Sequence, residues 1–175
     1  MRTFIAIDLP EEIKERVYAA SAELHSGVTT VAQNNLHITL QFLGEKSKAQ
    51  LIDIENTIKA VNSTPFLVSV YGVSYFGKPA RVIFANVADD SRIAYLYSQI
   101  SVRLAAIGIE SIDSRKFVPH ITMARVKHPA CGLEDFISRH AATKFGSFEV
   151  SCIAVKKSTP SSHGPVYETL YERKF

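Results

Sequence analysis

Cysteine is scarce. The 175 residues hold only Cys131 and Cys152, too few for a disulfide framework, and neither sits in a Cys-x-x-Cys or Cys/His pattern with zinc spacing. Both are expected to be reduced thiols in a cytoplasmic protein. Long apolar runs are missing too. None approaches the ~20 residues that span a bilayer, and the opening Met1 to Asp8 lacks the apolar core and cleavage site of a secretory signal; no membrane partner is expected. An excess of one charge is also lacking. Twenty Lys and Arg against 17 Asp and Glu leave +3, too little to coat nucleic acid by bulk charge but enough to favour a small anion in a local cleft. At 46% hydrophobic and 21% charged residues, the composition is that of a packed globular protein and excludes disorder as the main state.

Strand and helix patterns alternate. Phe4–Ile7 reads as a short strand. Pro10 stands where a helix can begin, and Ile13, Val17, Ala20 and Leu24 recur at helical spacing as far as Gly27. Leu36–Phe42 reads as a strand closed by Gly44. Ser47 suits the N-cap of a second helix reaching about Ala60, with Leu51, Ile54 and Ile58 on one face. Two strands, Phe66–Tyr75 and Arg81–Val87, flank a turn-like Phe76-Gly77-Lys78-Pro79-Ala80. A third helix is expected from about Asp90 to Ile107, with Ile93, Leu96, Ile100 and Leu104 as its stripe. Phe117–Arg125 reads as a strand and Leu133–His140 as a short helix, followed by strands near Phe145–Lys156 and Val166–Arg173. The class is α+β, without low-complexity linkers.

The chain repeats itself. Leu36-His37-Ile38-Thr39-Leu40 is echoed 83 residues later by Pro119-His120-Ile121-Thr122-Met123, each copy preceded by a long amphipathic helix. That spacing is too long for a solenoid and suggests a duplicated half-domain, with an approximate two-fold axis bringing both His-x-Thr strands to one cleft. Alternation along a strand turns His37, Thr39 and Gln41 to one face and Leu36, Ile38, Leu40 and Phe42 to the core. His120 and Thr122 likewise oppose Ile121 and Met123. A single histidine on a strand is ordinarily structural, but packing has no reason to select the same polar pair twice.

In-line cleavage of a phosphodiester needs a base at the attacking water and an acid at the departing oxygen, on opposite sides of phosphorus. Two identical motifs about a two-fold axis supply that arrangement. Histidine serves either role because its pKa of about 6.5 lies near working pH. Thr39 and Thr122 can donate hydrogen bonds to the non-bridging oxygens. The scheme requires no metal or cofactor, and the motifs lack the carboxylates that a magnesium phosphodiesterase uses.

These residues carry a resemblance. Arg2 to Pro10, Asn35-Leu36-His37-Ile38-Thr39-Leu40-Gln41-Phe42-Leu43-Gly44-Glu45, Phe117-Val118-Pro119-His120-Ile121-Thr122-Met123-Ala124-Arg125 and Gly164-Pro165-Val166-Tyr167-Glu168 together resemble the 2H phosphoesterase superfamily. The closest resemblance is to its RNA 2′,3′-cyclic phosphodiesterases, also called 2′-5′ RNA ligase-like proteins. The resemblance implies a single domain over residues 1–175, made of two pseudo-symmetric lobes whose antiparallel sheets flank a central cleft with helices outside. It implies hydrolysis of a terminal 2′,3′-cyclic phosphate, on RNA 3′ ends or tRNA fragments, to a 2′-phosphomonoester, with 2′-5′ ligation as the reverse. It assigns His37 as the proton donor to the leaving O3′ and His120 as the acceptor that activates water. The loop Thr30-Val31-Ala32-Gln33-Asn34 lacks the Arg-Trp pair common in relatives, and the chain has no Trp at all.

The remaining candidates are placed by position. Arg125, five residues after His120, falls on the opposite face by strict alternation and reaches a phosphate only if the strand ends or bulges there. Phe42, core by the same parity, is also a candidate base contact, as is Phe76 in its turn. Ser158 and Tyr167 flank the cleft if the last strand lies beside it. Arg81, Lys116 and Lys156-Lys157 are cations that could guide an RNA end. His25, His128, His140 and His163 belong to no motif and read as incidental. Two other functions fit the same residues: a phosphodiesterase on a small nucleotide (2′-5′ oligoadenylate or ADP-ribose cyclic phosphate), or a module that binds nucleotide phosphates without turnover. A monomer is expected.

Overall fold

The computed structural model describes residues 1–25, 27–88, 91–113, 115–128, 132–162 and 164–175. Asp90, Cys131 and His163 lie outside the described residues. Nine strands are present among those described: β1 (Arg2–Asp8), β2 (Val28–Thr30), β3 (His37–Glu45), β4 (Phe66–Phe76), β5 (Val82–Ala88), β6 (His120–Val126), β7 (Lys144–Val150), β8 (Cys152–Thr159) and β9 (Val166–Lys174). Four α-helices accompany them: α1 (Glu11–Ser21), α2 (Lys48–Lys59), α3 (Arg92–Ala105) and α4 (Leu133–His140). None is long and apolar enough to cross a membrane.

The strand order is β7-β4-β5-β6-β3-β1-β8-β9, with β2 added to β6, and every pairing is antiparallel. The two expected sheets are β3-β1-β8-β9 and β2/β6-β5-β4-β7. They are joined where β3 meets β6 at one residue pair, Ile38 with Ile121. That pair joins equivalent positions of the two repeats, 83 residues apart. Lobes and sequence halves do not coincide, because β8 and β9 return to pair with β1. Helices α2 and α3 pack over the first sheet, α1 and α4 over the second.

Local chemistry accounts for the elements. Ser47 caps α2 in a capping box: its hydroxyl accepts from the Gln50 amide N–H, and the Gln50 side chain accepts from the Ser47 N–H. The apolar stripe of α3, Ile93, Leu96, Ile100 and Leu104, is fully buried, as are Ile13 and Val17 of α1. Phe4, Ile5, Ala6 and Ile7 are all buried, since β1 is an interior strand with both faces covered.

Several boundaries differ from the sequence reading. Pro10 is the N-cap of α1 rather than its first residue, and α1 stops at Ser21, short of Gly27. β3 does not close at Gly44 but runs through it. Gly44 adopts φ +73°, a conformation that favours glycine, where Leu43 is an extra residue against β1. The span Phe145–Lys156 is two strands, broken at Ser151, and β6 begins at His120 rather than Phe117. The three-residue β2 went unread.

Candidate active site

Beside the Ile38–Ile121 pair, antiparallel geometry turns His37 toward Thr122 and Thr39 toward His120 as β3 and β6 part. The isoleucines are fully buried, so the His and Thr that flank each of them along its strand face away from the helices.

Beyond each threonine the pleat is broken at the same place. In β3, Ala6 pairs with Thr39 and Ile5 with Gln41, leaving Leu40 as an extra residue. In β6, Phe84 pairs with Thr122 and Ile83 with Ala124, leaving Met123 extra. Each β-bulge reverses the parity of the residues after it. Gln41, expected beside His37, is 4% exposed and turned into the core, where Ser101 Oγ donates to its Oε1 at 3.4 Å. Phe42, expected in the core, is 37% exposed and lines the cleft. Arg125, expected on the far face, joins His120 and Thr122 on the cleft wall. Phe42 and Arg125 are the equivalent positions of the two repeats.

The imidazoles are held alike. His37 Nδ1–H donates to the Asn35 carbonyl at 2.6 Å, and His120 Nδ1–H to the Val118 carbonyl at 2.7 Å. A carbonyl only accepts, so in each neutral ring Nε2 carries the lone pair. His37 Nε2 meets the Thr39 hydroxyl at 2.9 Å. Aromatic rings brace both: Phe4 at 5.0 Å and Tyr167 at 5.4 Å from His37, Phe76 at 5.0 Å and Phe84 at 5.2 Å from His120. Tyr167 reaches this position because β9 lies beside β8, where Ser158 is its partner. Phe4 and Phe84 escaped the sequence reading, since a buried aromatic in a strand is indistinguishable from ordinary core.

A cavity of about 530 Å³ opens here, lined by Thr39, Phe42, Phe76, His120, Thr122 and Arg125. His37 is not in this lining and touches it through the Thr39 hydroxyl. The opposite wall comes from the segment after α3, which carries Asp113, Arg115, Lys116 and Phe117, the last stacked on Tyr97 at 4.1 Å. Asp113 accepts from Arg115 Nε at 2.8 Å, and that guanidinium holds its carboxyl down at about 2.

Burial disfavours a charged imidazole. It lowers His37 to about 4 despite the opposing carbonyl of Asn35 and the negative charge of Asp8; Lys156 and His120 lower it further. Burial also lowers His120, aided by Arg115 and Arg125. Lys156 is tied to Asp8 at 2.8 Å and Lys157 to Glu168 at 3.2 Å, so neither candidate is a free cation. His140 contacts Glu23 at 3.1 Å, away from the cleft. Cys152 is a free, half-buried thiol. Among the described residues no group of three His, Cys, Asp or Glu side chains is placed to hold a metal ion.

Fold and paired motifs together define a phosphoesterase of the two-histidine class. The family model described as LigT-like phosphoesterase matches residues 7–84. An RNA 2′,3′-cyclic phosphodiesterase of Archaeoglobus fulgidus is 33% identical, the alignment covering 97% of this chain and 98% of that protein. Its namesake from Thermotoga maritima is 35% identical, with 100% and 96% covered. Among solved structures, a Thermus thermophilus protein superposes with a TM-score of 0.83 at 30% identity, covering 99% of this chain and 97% of that one. E. coli LigT complexed with 3′-AMP gives 0.84 at 24% identity with the same coverage. The chain belongs to the RNA 2′,3′-cyclic phosphodiesterase family of LigT-like phosphoesterases.

Proposed function

We propose that this single two-lobed domain hydrolyses the 2′,3′-cyclic phosphate at RNA 3′ ends to a 2′-phosphomonoester, by histidine acid–base catalysis without a metal. The observation that carries the reading is the meeting of two His-x-Thr strands at Ile38–Ile121, each ring fixed through Nδ1 to the carbonyl two residues before it. His120 Nε2 takes a proton from water as the water oxygen bonds to phosphorus. The P–O3′ bond breaks, and O3′ takes the proton carried on His37 Nε2. The two rings end with exchanged protonation, and solvent restores them. Thr39 turns its hydroxyl from His37 to a non-bridging oxygen, Thr122 donates to the other, and Arg125 offsets the charge that builds on the phosphate. Phe42, Phe76 and Tyr167 offer ring faces to the nucleoside. With a 5′-hydroxyl attacking phosphorus in place of water and O3′ again leaving, the same groups form a 2′-5′ linkage.

The test is phosphorus NMR of the products from a nucleoside 2′,3′-cyclic phosphate, with and without EDTA. A 2′-monophosphate in both is expected. A 3′-monophosphate, or loss of turnover with EDTA, overturns the scheme, and saturable binding without product favours a binding module. His37→Ala and His120→Ala should each lower kcat by ~10²–10⁴.

A further inference from the structure

The tip of the β4–β5 hairpin separates two hollows. Phe76 and Gly77 face the cavity described above; Tyr75 and Lys78 to Arg81 face a second groove of about 1060 Å³, completed by the end of β6 and the start of α4. One stretch of backbone borders both hollows. Val82 pairs with Arg125 at the cavity, and one residue further on Val126 N–H donates to the Arg81 carbonyl at 2.9 Å in the groove. The stem of Arg81 lies along Gly77, where an added Cβ would sit 3.1 Å from its Cγ.

The groove carries Lys78, Arg81 and Lys127, all exposed. None has a carboxylate partner among the described residues, whereas Arg115, Arg139, Lys156 and Lys157 each have one. Tyr75 presents a ring 43% exposed. Glu134 and Asp135 occupy the far rim, on α4, where Arg139 Nε donates to Asp135 at 2.9 Å. A cavity of about 530 Å³ suits a single nucleotide, so an RNA chain entering by its 3′ end must leave it. Toward the opposite wall it meets Asp113 and Arg115, already paired with each other, and one further cation, Lys116. Over the hairpin tip it meets three cations that form no ion pair among the described residues, Lys78, Arg81 and Lys127.

We propose that this groove is the track for the nucleotides preceding the reacting end: single-stranded RNA whose successive phosphates contact Arg81, Lys78 and Lys127 while Tyr75 stacks on a base. The identity of the chain in the groove rests on the phosphodiesterase reading.

The test compares wild type with the triple variant Lys78→Glu/Arg81→Glu/Lys127→Glu, none of whose positions lies in the catalytic machinery. A control, Lys48→Glu/Arg103→Glu/Lys174→Glu, changes net charge equally on other surfaces. Two substrates are used, a mononucleoside 2′,3′-cyclic phosphate and a short oligoribonucleotide ending in one. Binding of the same oligonucleotide bearing a 3′-phosphate is followed by fluorescence anisotropy across salt. The triple variant is expected to match wild type on the mononucleotide and lose roughly tenfold or more in kcat/KM on the oligonucleotide. Its log K against log[salt] slope should flatten by about 2, three phosphates at ~0.7 each. Equal effects on both substrates, or equal loss of RNA binding in the control, overturn the track. If wild type hydrolyses neither substrate the phosphodiesterase reading fails by itself. The anisotropy slopes then still decide the groove: flattening confined to the triple variant supports it, and unchanged slopes overturn it.

Discussion

A neutral imidazole at Nε2 is a ready base, and both rings are neutral at pH 7 because burial lowers His37 to about 4 and pulls His120 below its ordinary 6.5. The proposed acid role therefore needs a proton that the free enzyme holds only in mildly acid solution. As pH falls below neutrality kcat/KM should rise while one ring gains its proton, then fall when both carry one. The optimum is expected below pH 6.5, its two limbs belonging to the coupled pair. A bound phosphodiester anion favours the charged rings, so the limbs of kcat should lie at higher pH. Rate profiles with a nucleoside cyclic phosphate check this; a kcat/KM optimum above pH 8 contradicts it. The same shift has a stability signature. Unfolded, His37 protonates near 6.5; folded, near 4. Stability is thus full above pH 6.5 and is lost as pH falls toward 4, by about 3 kcal/mol from this ring. In thermal unfolding at pH 7.5 and 4.5, His37→Gln should show a smaller drop in Tm than wild type.

At the scale of elements, the paired bulges decide which side chains reach the cleft. Period-two reading puts Thr39, His120 and Thr122 on the cleft wall, with His37 against Thr39, and then fails at Gln41, Phe42 and Arg125. One extra residue, Leu40 or Met123, reverses every position after it. Nothing in Leu40 or Met123 announces this; the partner strands β1 and β5 impose it. A second feature invisible in the sequence is Asn35. Its carbonyl holds His37 Nδ1, and its side-chain amide donates to the Pro165 carbonyl at 2.7 Å, two residues before the Tyr167 that braces the same ring. Asn35→Ala should lower kcat several-fold with a Tm change worth only about 1 kcal/mol, and should let His37 sample the Nε2–H tautomer in nitrogen-15 spectra. Asn35→Asp should be no better, because a carboxylate cannot donate to Pro165. Wild-type kcat in Asn35→Ala would show the clamp to be idle.

For the whole molecule, the junction of the sheets is narrow. Ile38 and Ile121 are both 0% exposed and alone pair β3 with β6. Ile38→Ala should cost about 2–5 kcal/mol by leaving a cavity. It should also reduce kcat more than Ile54→Ala, an equally buried position on α2, since only the first loosens the joint that aligns the rings. Equal kcat losses in the two variants, measured where both are fully folded, would separate the junction from catalysis.

The succession of the strands and helices other than β2 and the β7–β8 break, the apolar stripes, the Ser47 cap and the doubled His-x-Thr were determined by the sequence alone, because each depends on neighbours within a turn or a pleat. The tertiary structure alone decided that β8 and β9 return to the first lobe, that Phe4 and Tyr167 brace His37 while Phe76 and Phe84 brace His120, and that Arg125 and Phe42 face the cleft. These depend on register between strands far apart in the chain, and a register that slips by one residue leaves the local pattern untouched while turning a side chain from core to cleft.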